Sequence, residues 1–273
     1  MKNLVTLVLL VVCFQSFAQR KPKIKGNKSV VEVREDLPFF NTITLVDDLE
    51  ILLQKGTQEG YSIKADDNLI DVLKFKVQDT VLTISSFYKI TAKKKLEITI
   101  YYREITELTM KDGKINMKDV ISTDVLNVNT SGRSRLELNA TASIMNVYME
   151  GMSSGDFNLA GDSLNIILKD RIDARMYSVG ESQSVLMSDN ASANLEGTAD
   201  QLYVELLGSS NLKASKLEAD QISASLEATS NAILNAVENI ELSSRGTSKL
   251  RLFGNAKIDI LEFLDKAQLH KEQ

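Results

Sequence analysis

From Leu108 to the C-terminal end the sequence repeats itself about every 19 residues, and a period of that length belongs to solenoids rather than to folds with one closed core. The equivalent positions read Leu108, Leu126, Met145, Leu164, Gln183, Leu202, Ile222, Ile240 and Ile258. Two residues later the series runs Met110, Val128, Val147, Ile166, Val185, Val204, Ala224, Leu242 and Ile260. A corner of small or turn-forming residues follows, such as Ser153-Ser154-Gly155, Gly208-Ser209-Ser210 and Gly246-Thr247-Ser248. A second apolar pair closes each unit: Leu136/Leu138, Phe157/Leu159, Leu212/Ala214, Ile233/Leu234 and Leu250/Leu252.

Alternation within each unit decides which solenoid this is. Apolar residues two apart mark strands with one buried face, and both halves of the unit alternate. Leucine-rich repeats share the period but need an asparagine signature and a convex helical segment. Hexapeptide helices would show a six-residue period. A coil of short parallel strands remains, one turn per unit, and parallel crossover connections are right-handed. The expectation is therefore an all-β, right-handed parallel β-helix with rungs of about 19 residues. No rung is stable alone, because its few inward side chains do not offset the entropy of ordering it. Stacking is compulsory.

The rest of the chain divides around this array. Residues 1–18 read as a signal peptide: Lys2, an apolar run over residues 4–14, then Ser16-Phe17-Ala18 before a cut. That run is too short to cross a membrane. Residues 19–28, with Arg20, Lys21, Lys23, Lys25 and Lys28, read as a flexible basic tail able to touch an anionic membrane surface. Residues 29–107 form a strand-rich N-terminal part of the solenoid, with a short helix expected around Asp66-Asp67-Asn68-Leu69-Ile70 and a plug at Pro38-Phe39-Phe40. Residues 108–260 are the regular rungs. Residues 261–273 read as a C-terminal cap and tail, from the helix-like spacing of Ile260, Phe263, Leu264 and Ala267.

Little catalytic chemistry is available to such a chain. Its one cysteine, Cys13, lies in the leader, and its one histidine, His270, sits in a polar stretch near the end. Thiol catalysis, His-based triads and common zinc sites are excluded together. No Gly-x-Gly occurs, so phosphate-cradling loops are missing. With 32 Lys+Arg against 37 Asp+Glu, nucleic acid is not the expected partner. The enzyme alternative is a polysaccharide lyase or hydrolase working with paired carboxylates. Asp156, Asp162, Asp170, Asp173 and Asp189, with Arg171 and Arg175, are the candidates, and Asp170-Arg171-Ile172-Asp173-Ala174-Arg175 is the densest group. Unit length barely varies, so no long loops wall a groove around them. Asp124, Asp162, Asp200 and Asp220 recur before strands and read as turn formers that bond their own backbone. Accordingly no catalytic, cofactor-binding or metal-binding residue is assigned.

Several segments of this chain resemble the head GIN domain family of secreted bacterial auto-transporter adhesins. They are Phe39-Phe40-Asn41-Thr42-Ile43, Leu49-Glu50-Ile51-Leu52-Leu53-Gln54-Lys55-Gly56, Asp66-Asp67-Asn68-Leu69 and Val77-Gln78-Asp79-Thr80-Val81-Leu82-Thr83-Ile84. The resemblance spans roughly residues 30–265. It implies a right-handed β-helix in the envelope of a Bacteroidetes-like bacterium, and it brings no catalytic residue with it. The expected function is that of an exported, non-enzymatic structural or adhesin-like protein. It would bind an envelope protein or glycan through flat faces, in the periplasm, on the outer surface or after release.

Overall fold

The computed structural model describes residues 21–272, so the expected signal peptide over residues 1–18, with Gln19 and Arg20, lies outside the described residues. The chain forms a parallel β-solenoid of about nine turns, with 69% of the described residues in strands and 2% in helix. The regular strands are long because each bends through a corner without breaking its ladder: Arg135–Met149, Ser154–Leu168, Asp173–Met187, Ser192–Leu206, Asn211–Leu226 and Asn231–Ser244. Each pairs in parallel with the next. Val128, Val147, Ile166, Val185 and Val204 stack register on register and all are buried. This interior column extends upward through Ala224 and Leu242 and downward through Leu108, Ile43 and Leu82. Leu108 therefore sits under Val128 rather than under Leu126, two residues off the expected equivalence. In the second strand the inward pair of one rung is Ala232 and Leu234, not Ile233 and Leu234.

From residue 131 onward, the corner that joins successive long strands passes through the left-handed region. Gly132, Gly151, Asp170, Asp189, Gly208, Ala228, Gly246 and Asp265 have φ between +60° and +80°. Glycine adopts that conformation freely, and aspartate tolerates it better than most side chains. Asp170 and Asp265 gain a partner there: each carboxylate accepts the N–H of the glycine one rung below, Gly151 or Gly246, at 3.0 Å. Two residues beyond this position a serine turns inward. Ser134, Ser153, Ser210 and Ser248 are buried, and each hydroxyl donates to the carbonyl three residues back, at 2.6–2.9 Å. The serine-rich corners are thus hydrogen-bonded clasps. Ala228, at φ +60°, holds a left-handed backbone with a methyl group. Ala228→Gly is expected to stabilise the protein by about 1 kcal/mol, measured as a higher denaturant midpoint with an unchanged slope.

One rung carries polar groups inside. Gln183 is buried in the leucine column, where it accepts from the Ser178 hydroxyl at 2.8 Å and donates to the Thr198 carbonyl at 2.9 Å. Both ends of the amide are satisfied, which is what lets a glutamine replace a leucine there.

The N-terminal part does not climb in sequence order. Strands Thr42–Leu45 and Glu50–Lys55 form a rung that lies between two later ones. Above it stack Glu107–Met110 and Lys114–Met117; below it lie Val81–Ser86 and Leu96–Tyr102. The lower end is then extended by antiparallel strands, Gly60–Asp66 on Leu96–Tyr102, Val30–Asp36 on Gly60–Asp66, and Leu73–Gln78 on Val81–Ser86. Tyr61 stacks on Phe75 with ring centroids 4.1 Å apart, and these strands close the end. The expected aromatic plug is only half right: Phe40 is buried in the core, while Phe39 is 42% exposed. The helix Asp67–Ile70 forms where expected.

Two expectations at the chain's extremes are corrected. Residues 21–28 are not a loose tail: Lys23–Lys25 forms a parallel two-stranded sheet with Lys89–Ala92. At the other end, residues 257–271 are not helical but add two further strands, Lys257–Phe263 and Gln268–Lys271. Ile260, the next member of the interior column, continues the ladder, and a helix would have abandoned those hydrogen bonds. Ile260, Leu261, Phe263 and Leu264 on this last turn are all exposed.

Candidate functional site

Between the left-handed corner and the opposite corner, the outward side chains of successive rungs form columns on one wall. Glu137, Asp156, Arg175, Asn194 and Lys213 make one, and Asn139, Asn158, Tyr177, Glu196 and Lys216 the next. Four rungs stack here without interruption. The fifth then carries an extra residue: Asn194 pairs with Lys213 but Glu196 with Lys216. Ala214 and Ser215 together oppose Leu195. Ala214 is buried and Ser215 is pushed outward. This β-bulge breaks the flatness of the wall, as bulges do at sites that re-aim side chains. The hollow beside it is lined by Asp156, Arg175, Tyr177, Asn194, Glu196 and Lys213, among others.

Its electrostatics are a mesh of ion pairs. Asp156 accepts from Arg175 Nε at 2.5 Å and lies 3.9 Å from Arg135; Glu196 meets Lys216 at 2.9 Å. The hydrogen bond from Arg175 holds the Asp156 carboxyl below the usual carboxylate range. It is a fixed acceptor, then, rather than a proton donor. Exposed pairs contribute little to stability; here they set the side-chain directions around the Tyr177 ring, which is 53% exposed. An aromatic face bordered by amide, carboxylate, guanidinium and ammonium groups suits a polar ligand with an apolar face.

The carboxylates singled out from the sequence are not gathered into one site. Asp156 and Asp173 lie on this wall. Asp170 and Asp189 are corner residues, and Asp170 is engaged with the Gly151 N–H. Ile172, between Asp170 and Asp173, is buried. Asp162 belongs to the opposite corner, where the flanking pairs bring Asp124, Ser143, Asp162, Glu181, Asp200 and Asp220 one above another, and a register shift sets Val237 and Glu238 together against Asp220. The recurring aspartates thus form an exposed acidic ridge, not self-bonded turns, and Glu181 and Glu238 complete it. Among the described residues no three His, Cys, Asp or Glu side chains are placed to share a metal ion. Apolar alternation does not single out Lys213, Lys216 and Glu196. Their signal was the 20-residue step from Leu202 to Ile222 in a 19-residue array.

The other wall is quieter. Asn127, Asn146 and Asn165 form a ladder, each amide donating to the carbonyl oxygen of the one below at 2.9–3.0 Å. Tyr203, 48% exposed, lies on the same wall.

Fold and walls together define a parallel β-solenoid whose outward chemistry is carried on its sides. The chain belongs to the family described as "Putative auto-transporter adhesin, head GIN domain", which matches residues 39–256. A search of curated proteins found no match. Among solved structures it is similar to a putative adhesin from Parabacteroides distasonis, at TM-score 0.67 and 16% identity. One from Parabacteroides merdae gives 0.65 and 15%. A putative lipid binding protein from Parabacteroides distasonis gives 0.64 and 16%. Each similarity covers 92% of this chain and 100% of the other. At such identities the likeness is one of fold.

Proposed function

We propose that this chain is an exported, non-enzymatic adhesin-like protein that binds a glycan or protein at the cell envelope through the bulged wall. The observation that carries this reading is the hollow beside Ser215, where Tyr177 stands exposed among oriented charged side chains. Family membership and the adhesin-named neighbours support it, and the apolar leader read from the sequence supports export. Asp156 is held ionised by Arg175, which suits recognition rather than acid catalysis.

Binding of the purified protein to immobilised neutral and acidic glycans, and to intact bacterial cells, tests this. Tyr177→Ala should weaken binding about tenfold, since a stacking aromatic contributes on the order of 1 kcal/mol or more. Tyr203→Ala, on the other wall, should leave it unchanged. Equal effects of the two substitutions, or polysaccharide cleavage lost on changing Asp170 or Asp173, would overturn the assignment.

A further inference from the structure

The lower end of the rod carries a charge pattern that folding does not require. Residues 21–28 contain four lysines and no acidic residue, and residues 87–95 likewise. They come together because Lys23–Lys25 pairs with Lys89–Ala92, which sets Lys23 directly opposite Lys89. Like charges facing across a strand pair are destabilising. Next to them the chain continues through Lys93 and Lys94, and Lys28 is held close by. The backbone N–H groups of Lys28 and Lys94 both donate to the Asp66 carboxylate, at 3.2 and 3.0 Å. Lys23, Lys25, Lys28, Lys89, Lys93 and Lys94 are all exposed. None is in an ion pair among the described residues. A protein of net charge −5 has thus concentrated unpaired cations at one end.

Aromatic residues accompany them. Phe87 and Tyr88, two residues before the lysine-bearing strand, are 50% and 38% exposed, and Lys74 Nζ sits 3.6 Å from the centre of the Phe87 ring. Lysines along an exposed edge also deter unwanted strand pairing. That role accounts neither for two lysines opposed to each other nor for the run past the strand's end, and it would not leave two aromatic rings in water. The patch is rigid. Gly26 N–H donates to Ala92 C=O at 2.8 Å, Lys89 N–H to Pro22 C=O at 2.9 Å, and Asn68 Nδ2 to Lys25 C=O at 2.9 Å.

We infer that this end is a docking surface for an anionic phospholipid bilayer, with the lysines on the headgroups and Phe87 and Tyr88 at the interface. Fixed cations attract such a surface additively, and aromatic rings settle at the headgroup level. The site is separate from the bulged wall, so either can fail without the other. The rod would then stand on the membrane by its lower end.

Co-sedimentation of the purified protein with vesicles rich in phosphatidylglycerol, against vesicles of pure phosphatidylcholine, decides it. Binding is expected only to the anionic vesicles and should weaken as salt rises towards about 0.5 M. Replacing Lys23, Lys89, Lys93 and Lys94 by glutamine should cost about fivefold per lysine, while arginine at the same positions should preserve binding. Phe87→Ser with Tyr88→Ser should remove whatever binding survives high salt. Unaltered melting of each variant shows that the fold persists. Equal binding to both vesicles, insensitivity to the glutamine set, or equally tight binding to soluble dextran sulfate would overturn the inference.

Discussion

An aspartate at Val185 is expected to unfold the middle of the rod. Val185 is 1% exposed and packed in its column between Ile166 and Val204, with apolar neighbours above and below. A carboxylate there has neither water nor a cation, and burying an unpaired charge costs several kcal/mol. In an array where each rung touches only its neighbours, that penalty falls on two interfaces at once. The rungs on either side should melt separately, and limited proteolysis should cut near residue 185. Val185→Ala removes only packing and should cost about 1–3 kcal/mol. Ser184→Asp, one residue away but facing out, should be nearly neutral. Should Val185→Asp melt within about 1 kcal/mol of the parent, the column is not interior and the solenoid is wrong.

The second large effect concerns Asp66. Its carboxylate is buried and accepts three backbone N–H groups, from Lys28, Lys94 and Lys95, at 3.0–3.2 Å. The bond from Lys94 is the largest cause holding its pKa below the usual value; burial opposes it, and the bonds from Lys28 and Lys95 add to it. A carboxyl whose folded pKa is lowered lends stability above its unfolded value, about 3.9. That contribution is lost as pH falls through the lower folded value. Hydrogen-exchange protection of those three amides should therefore fade below about pH 4, before the rungs melt. Asp66→Ala should abolish it at neutral pH, expose residues 21–28 to proteases and weaken vesicle binding, leaving the melting of residues 108–260 unchanged. Gly26→Ala should act similarly, because an added Cβ would lie 1.9 Å from Asp66 Oδ2. A variant that keeps full protection of residues 21–28 would show that the carboxylate is not the clamp.

The central columns were legible in the sequence because a strand with one buried face writes its own pattern. Val128, Val147, Ile166, Val185 and Val204 could be aligned on paper, and they stack in space. What alternation cannot encode is which strand lies next to which. Residues 42–55 read like any other pair of strands, yet they are inserted between two later rungs. The same silence hid the pairing of Lys23–Lys25 with Lys89–Ala92, where lysine content suggested solvent. The final turn misled for another reason. Ile260, Phe263, Leu264 and Ala267 fit a helical spacing, but a waiting strand edge on Asn231–Ser244 decided the outcome. Of the candidate site, Tyr177 and Asp156 were visible as residue types. Their meeting with Lys213 depended on a single inserted residue, visible only as one long step in the repeat.

The acidic ridge along one corner changes how such a rod would travel. Residues 108–248 carry 11 Lys+Arg against 19 Asp+Glu, whereas residues 21–107 carry 14 of each and residues 249–273 five against four. Above a negatively charged sheet the flank would therefore be pushed away before it touched. Such a rod would not lie flat; an end would meet the surface, with its spine held off and its flanks turned to whatever lies alongside.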